Sequence, residues 1–448
     1  MKIAYYSPLR PLGSGISDYS EELLPALSRL AEVTLFVDGF EPTSPAIRGR
    51  FPVCDFNTTE PAGCDVCLYH MGNNADFHAG IYRQLCRFPG VVVLHEWVLH
   101  NFFAALTIRR DDKRGYLREM EYNLGPFGHA LAQEFFQSAV PPVWEVSPLR
   151  FPLNRRVIER SRGIIAHSRF VADRVRAANA LVPLARIPHG MAPAPPADAI
   201  ALKRKHALPL DRPAVATLGF VNPWKRLEVI AQALAGLKGR LDFVFLVVGK
   251  VAGDYDAQRV VADAGLKDVT RFVEAADLEE FREFINLSDL AVNLRYPTLG
   301  ETSGAVLRIL AAGRPCIVSD VGWFSELPED CVAKVPPDHP AEADLVRAYV
   351  EHLLEDADLR RRLGANARAY IAGEHSWQRA AEAYVAFLDR VIREPQRHVR
   401  ADEVIREVAR ELSDMGLPAG DGWFVPDVAS ELAALCEPVS GPATEAQA

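Results

Sequence analysis

The strongest constraint in this sequence is an alternation that stops and then restarts. Short β-branched runs closing on Gly, His or Ser alternate with amphipathic segments of helical spacing, the pattern of a parallel sheet covered by helices on both faces. Runs at 3–6, 33–37, 66–69, 91–94, 163–166 and 184–187 predict one such sheet. Residues 191–198, Met-Ala-Pro-Ala-Pro-Pro-Ala-Asp, then break the pattern, because so much proline continues neither a helix nor a central strand. It resumes at 215–218, 243–248, 290–294, 316–319 and 332–335, with helical segments at 226–237 and 304–312. The expectation is an α/β chain of two Rossmann-like domains, 1–190 and 213–375, facing a central cleft and joined by a linker at 191–212. A crossover helix at 376–393 follows, then a helical extension and frayed tail at 394–448, with helical spacing at 402–415. A chain of 448 residues exceeds what one hydrophobic core normally supports, which agrees with two domains.

Several function classes are disfavoured at once. A net charge of −9 argues against a general affinity for nucleic acid. The longest apolar runs, such as 243–248, are far too short to cross a bilayer. Met1-Lys2-Ile3 enters a strand-like run without the features of a signal peptide, so a cytoplasmic protein is expected. Seven cysteines, scattered and odd in number, fit a reduced compartment. Cys64 and Cys67 sit in a strand-like run with no second pair at zinc spacing, so core packing is their expected role. With no His/Asp/Glu cluster at ligand spacing, neither a metal nor a cofactor is expected.

Ligands of open α/β sheets bind beyond the carboxyl ends of the strands, so chemistry is sought in the loops there. Pro11-Leu12-Gly13-Ser14-Gly15-Ile16-Ser17-Asp18 follows the first run. Its two glycines free backbone N–H groups to face an anion at a helix N-terminus, and Asp18 with Glu21 has the spacing of a capping box; a plain turn would look similar. Lys225-Arg226 ends the loop Gly219-Phe220-Val221-Asn222-Pro223-Trp224, where two cations at a strand mouth suit a diphosphate, or a solvated surface. Asn293-Leu294-Arg295-Tyr296-Pro297-Thr298-Leu299-Gly300-Glu301-Thr302-Ser303-Gly304 leads into a small-residue helix, gathering a carboxylate, hydroxyls and amides at its N-terminus. This third loop is the most informative. The first loop lacks the Gly-x-Gly-x-x-Gly spacing of a dehydrogenase.

Taken together the chain resembles, from residue 1 to about 392, a retaining GT-B glycosyltransferase of family 4, the group 1 class, in a divergent subgroup. The matching stretches are Ser14-Gly15-Ile16-Ser17-Asp18-Tyr19-Ser20, Gly72-Asn73-Asn74, Val93-Leu94-His95-Glu96 with Leu99-His100, Ala166-His167-Ser168, Ile187-Pro188-His189-Gly190, the Lys225 loop, Gly300-Glu301-Thr302-Ser303-Gly304 and Ala311-Ala312-Gly313-Arg314-Pro315. The resemblance implies an acceptor-side first domain, a donor-nucleotide second domain, and a nucleotide diphosphate sugar as donor substrate. A glycan, lipid-linked or other acceptor in bacterial polysaccharide or glycoconjugate assembly would receive the sugar. Lys225 would hold the diphosphate, Gly13, Ser14 and Gly15 would approach it, His95 would face the transferred sugar, and Glu301 would lie beside the donor. Arg226 joins Lys225 in opposing the departing charge, and Asn222, Thr302, Ser303, Gly304 and Arg308 complete the expected donor contacts. Asp18, Asn73, Glu96, His167 and His189 are candidate sugar or acceptor contacts.

The sequence also departs from that pattern. The usual two Glu positions fall on Gly300 and Arg308, displacing the first carboxylate to Glu301 and replacing the ribose-binding second one, while the usual Arg ahead of Lys225 falls on Phe220. A sugar-nucleotide epimerase or a non-catalytic nucleotide-sugar binding protein on the same fold are the alternatives. Arg109, Arg110, Lys113, Arg114 and Arg118 form a basic cluster, diluted by Asp111, Asp112 and Glu119, that would suit peripheral contact with anionic lipid.

Overall fold

The structure, a computed structural model, describes residues 1–394 apart from positions 196, 254 and 276. The expected extension and the helical spacing at 402–415 lie outside the described residues.

Two wholly parallel sheets carry the fold. The first contains β1 (Lys2–Tyr6), β2 (Glu32–Val37), β3 (Val53–Asp55), β4 (Val66–Met71), β5 (Val91–Leu94), β6 (Gly163–Ala166) and β7 (Leu184–Arg186) in the order β3-β2-β1-β4-β5-β6-β7. The second contains β8 (Ala214–Leu218), β9 (Val244–Val248), β10 (Thr270–Val273), β11 (Leu290–Asn293), β12 (Cys316–Ser319) and β13 (Ala333–Val335) in the order β10-β9-β8-β11-β12-β13. Each reverses direction beside its first strand, at β1/β4 and at β8/β11, so each has a topological switch point where a crevice opens. Strands such as Val91–Leu94 and Ala214–Leu218 are buried throughout, which is why they read as continuous apolar runs.

Sequence reasoning missed β3 and β10. Both are three- or four-residue edge strands whose residues are exposed or half-buried, so neither carries the apolar run that marks a central strand. The expected helix at 226–237 also divides: Pro223–Lys225 is a 3-10 turn, Arg226 is left-handed at φ 53°, and the α-helix runs over Leu227–Ala235. Within 191–212, Ala199–Lys205 is helical; Lys203 ties it to the second sheet through Asp289, at 2.8 Å. Trp377–Arg393 returns to the first domain, burying Ala381, Tyr384, Phe387, Leu388 and Val391 against Ile3, Tyr5, Tyr19 and Leu23.

The two sheets meet along the carboxyl ends of their strands. Val98 donates its N–H to Leu299 O at 2.9 Å, and Trp224 of the second domain packs against the apolar core of the first. Gly300 has φ 87°, and a Cβ there would lie 2.6 Å from Trp97 Cβ, so glycine is required both by the backbone conformation and by the closeness of the opposite domain. Glu326, after β12, caps the Arg169–Ala178 helix of the first domain through the N–H groups of Arg169 (2.9 Å) and Phe170 (2.7 Å).

Candidate active site

On the second domain the site is built where β8 and β11 diverge. Lys225 Nζ is buried and donates to Leu218 O at 3.2 Å and to Asn293 Oδ1, using two of the three donors of an ammonium. Gly219, at φ 107°, passes so close that a Cβ would stand 3.4 Å from Nζ. Burial, reinforced by Arg295 and opposed by Glu301, lowers the Lys225 pKa to about 7. Asn222 Oδ1 is buried without a partner. Phe220 is exposed.

Ser303 caps the Gly304–Ala311 helix by accepting from Val306 N at 3.3 Å, and Thr302 lies half-buried beside it. Gly304 is close to both domains, since a Cβ there would be 3.1 Å from Arg308 Nη1 and 4.0 Å from His189 Nε2. Glu301 is fully engaged. Arg295 Nε lies 2.8 Å from Oε1, while Thr298 Oγ1 and Leu299 N reach Oε2 at 3.0 and 2.8 Å. Glu96, across the cleft, is raised to about 8 by burial and then by Glu301, with Arg295 opposing.

The first domain contributes the Gly15–Leu27 helix and a group of imidazoles. Ser14, not a box of Asp18 and Glu21, is the N-cap, accepting from Ser17 N at 3.1 Å. Asp18 and Glu21 instead hold Arg10, at 2.7 and 3.7 Å, which corrects the capping-box expectation. Asp18 is raised by burial, against the pull of Arg308 and Arg10. Gly13 and Gly15 are exposed, and a Cβ on either would meet nothing within 4 Å. Tyr19, fully buried, stands within 4.6–5.7 Å, ring to ring, of His70, His95, His167, His189 and Trp377. Its hydroxyl lies 2.7 Å from that of Tyr384.

Each of these imidazoles has one nitrogen engaged, while His70 Nε2 and His167 Nε2 are buried without a partner. His95 Nε2 is 2.9 Å from His70 Nδ1, His167 Nδ1 is 2.8 Å from Ile187 O, and His189 Nδ1 is bonded to Gly190 O. Burial, with mutual repulsion, holds His70, His95 and His189 well below the usual imidazole range and His167 at about 4. The cluster is therefore neutral at pH 7. Asn73 is turned inward: its Oδ1 accepts from Phe102 N at 2.9 Å, so it anchors the His100–Thr107 helix.

Two of the expected donor contacts are held by carboxylates. Arg226 is not a second free cation, because its guanidinium grips both oxygens of the buried Glu342. Arg226 has left-handed backbone where it starts the Leu227–Ala235 helix, and its side chain reaches the start of the Glu342–Glu355 helix while lying 5.6 Å from the Tyr296 ring. Arg308 bridges the domains: Nη2 is 2.7 Å from Glu22 Oε1, and Glu22 also accepts from Trp377 Nε1 at 3.1 Å, with Arg282 3.5 Å away. Glu22, Tyr19, Trp377 and Glu326 were all missed by sequence reasoning, since their importance arises from partners distant in the chain, such as Tyr384 for Tyr19 and Arg169 for Glu326. The cysteine pair is unbridged, and Cys67 lies within β4. Arg109, Arg110, Lys113, Arg114 and Arg118 are exposed, with Asp111 and Asp112 exposed among them.

Comparison with known proteins agrees with this geometry. Residues 198–370 match the model of the family described as "Glycosyl transferases group 1". The chain is 30% identical over 178 residues to an alpha-D-kanosaminyltransferase of Streptomyces kanamyceticus, covering 38% of this chain and 44% of that protein. It is likewise 30% identical over 208 residues to a 2-deoxystreptamine glucosyltransferase of the same organism, covering 45% and 52%. The chain thus spans about half the length of the curated relatives it matches. Among solved structures, sucrose-phosphate synthase from Thermosynechococcus elongatus superposes with a TM-score of 0.60 at 17% identity, covering 87% of this chain and 99% of that one. Anabaena Alr3699/HepE in complex with UDP and glucose gives 0.59 at 16%, covering 87% and 100%. The fold is GT-B.

Proposed function

We propose that the cleft binds a nucleotide diphosphate sugar and transfers its sugar, with retention of configuration and without a metal, to an acceptor hydroxyl. The observation that carries this reading is the convergence of buried Lys225, unbranched Gly219 and the first turn of the Gly304–Ala311 helix at the β8/β11 switch point. The glycine loop of the first domain, exposed at Gly13 and Gly15, is proposed to face the same anion. Such a place suits an anion with negative charge developing on it. Lys225 can adapt its own charge to that anion. With its pKa near 7, an approaching diphosphate draws a proton onto Nζ and fixes it as a cation. The departing diphosphate then takes the proton of the acceptor hydroxyl while its own charge rests on Lys225 and backbone amides. His95, neutral at the edge of the first domain, fits a hydrogen-bonding contact to the sugar rather than an acid.

The relatives supply support for the substrate class. One structural neighbour was solved with UDP and glucose, and the curated relatives are named for transfer of kanosamine and of glucose. The acceptor is proposed to be a glycan, a lipid-linked sugar or a small hydroxylated ring of the kind the 2-deoxystreptamine name denotes. Lys225→Met tests the reading: turnover of nucleotide sugar should fall roughly 10²- to 10³-fold at saturating donor, the range for losing one preorganised donor. A near-normal rate would contradict it. Activity should also survive exhaustive treatment with EDTA.

A further inference from the structure

We propose that Glu96 enters the closed cleft as a neutral carboxylic acid, and that its proton is what lets the 95–98 segment dock against the loop that carries Glu301. Glu96 cannot retreat from this contact while the domains are joined. On one side of it Val98 N is bonded to Leu299 O and Gly300 lies against Trp97; behind it Asn154 Nδ2 holds Trp97 O at 2.6 Å.

The charges it faces are unequal. From the second domain come Glu301 and Arg295, and that guanidinium lies 2.8 Å from Glu301 Oε1. Lys225, which interacts with the same Arg295–Glu301 pair, is held near pKa 7. From its own domain come the imidazoles of His95, His70 and His167, all kept neutral by burial. Glu96 Oε2 is buried with no partner. A carboxyl oxygen buried without a donor, facing a second carboxyl group to which the nearby guanidinium is already committed, is held as the neutral acid. Glu301 has Arg295 at ion-pair distance and accepts from Thr298 Oγ1 and Leu299 N, whereas no donor reaches Glu96 Oε2, so the proton is placed on Glu96. Burial and the charge of Glu301 push Glu96 in the same direction, up to about 8.

The linkage has a definite sign. With the domains apart, Glu96 returns to solvent and to an ordinary carboxylate value of about 4.3. Closing then takes up a proton from water, and the closed contact weakens as pH rises from the carboxylate range to about 8, levelling beyond it. Glu96 is thus a positioning residue acting through the Glu301 loop.

The direct test is the infrared carbonyl stretch of protonated carboxylic acids, recorded on the full chain without ligand and titrated with pH. A band at pH 7 that disappears through about pH 8 and is missing in Glu96→Gln is expected. Glu301→Gln should move that titration to lower pH. The difference against Glu96→Gln separates Glu96 from Asp18 and Glu119, whose carboxyls burial also raises. No such band in the wild type at pH 7, or an equal band in Glu96→Gln, would overturn the proposal; the wild-type titration stands even if a variant fails to fold. The functional consequence rests on the donor-site reading: UDP affinity should weaken between pH 6 and 8 more steeply in wild type than in Glu96→Gln. Absence of UDP binding in both proteins would count against the donor reading alone.

Discussion

At the scale of residues, the site separates groups that wait for a ligand from groups that hold the protein together, and substitutions tell the two apart. Gly15 belongs to the first kind. A Cβ there meets nothing in the protein, so Gly15→Ala should leave thermal stability unchanged or slightly raised while raising the donor KM at least tenfold, measured by steady-state kinetics. An unchanged KM would remove the loop from the site. Arg226 belongs to the second kind. Arg226→Ala leaves the buried Glu342 without its counter-charge and with only the Asp338 N–H against it, a loss of about 3 kcal/mol readable by denaturant unfolding, and Arg226→Ala with Glu342→Gln should recover much of it. The sequence showed that Lys225 and Arg226 are adjacent cations at a strand mouth. It did not show that the second one would be held by Glu342, because that partner lies 116 positions later. Arg308, at the position of the usual ribose-binding carboxylate, pairs with Glu22, 286 positions earlier.

At the scale of elements, central strands were legible, and of the four edge strands the sequence showed β7 and β13 but not β3 and β10. Val91–Leu94 and Cys316–Ser319 match the apolar runs residue for residue, since a strand buried on both faces admits little else. Val53–Asp55 and Thr270–Val273 lie at sheet edges, where pairing with one neighbour asks little of side chains. Helix termini were legible only where the cap is local. Ser303 is such a cap; Glu326, which serves the Arg169–Ala178 helix from the other domain, is not. Because Ser168 already caps this helix through Val171 N, Glu326→Gln should cost about 0.5–2 kcal/mol, read as a lower urea midpoint. That variant should also increase the accessibility of the cleft to limited proteolysis. Full retention of both properties would mean that the cap contributes nothing to holding the domains together.

At the scale of the whole molecule, the cleft is closed by polar contacts laid over a buried cluster of neutral imidazoles, and both respond to pH. His78, His100 and His167 are depressed to about 4, chiefly by burial, whereas an unfolded histidine titrates near 6.5. Between those values the unfolded chain binds protons that the native one does not, so stability is present above about pH 6.5 and lost as pH falls towards 4. Urea unfolding at pH 7 and pH 5 should differ by several kcal/mol, since each such histidine loses about 1.4 kcal/mol for every pH step of one across that window; equal midpoints would contradict the burial of these three histidines. The functional reading depends on Lys225, the first turn of the Gly304–Ala311 helix and the Gly13–Gly15 loop addressing a single pyrophosphate. Calorimetric titration of wild type, Lys225→Met and Gly15→Ala with UDP and with uridine tests this most directly. UDP should bind wild type, lose at least a hundredfold in affinity in Lys225→Met and at least tenfold in Gly15→Ala, while uridine binds all three alike. UDP affinity unmoved by both substitutions would contradict a shared pyrophosphate site.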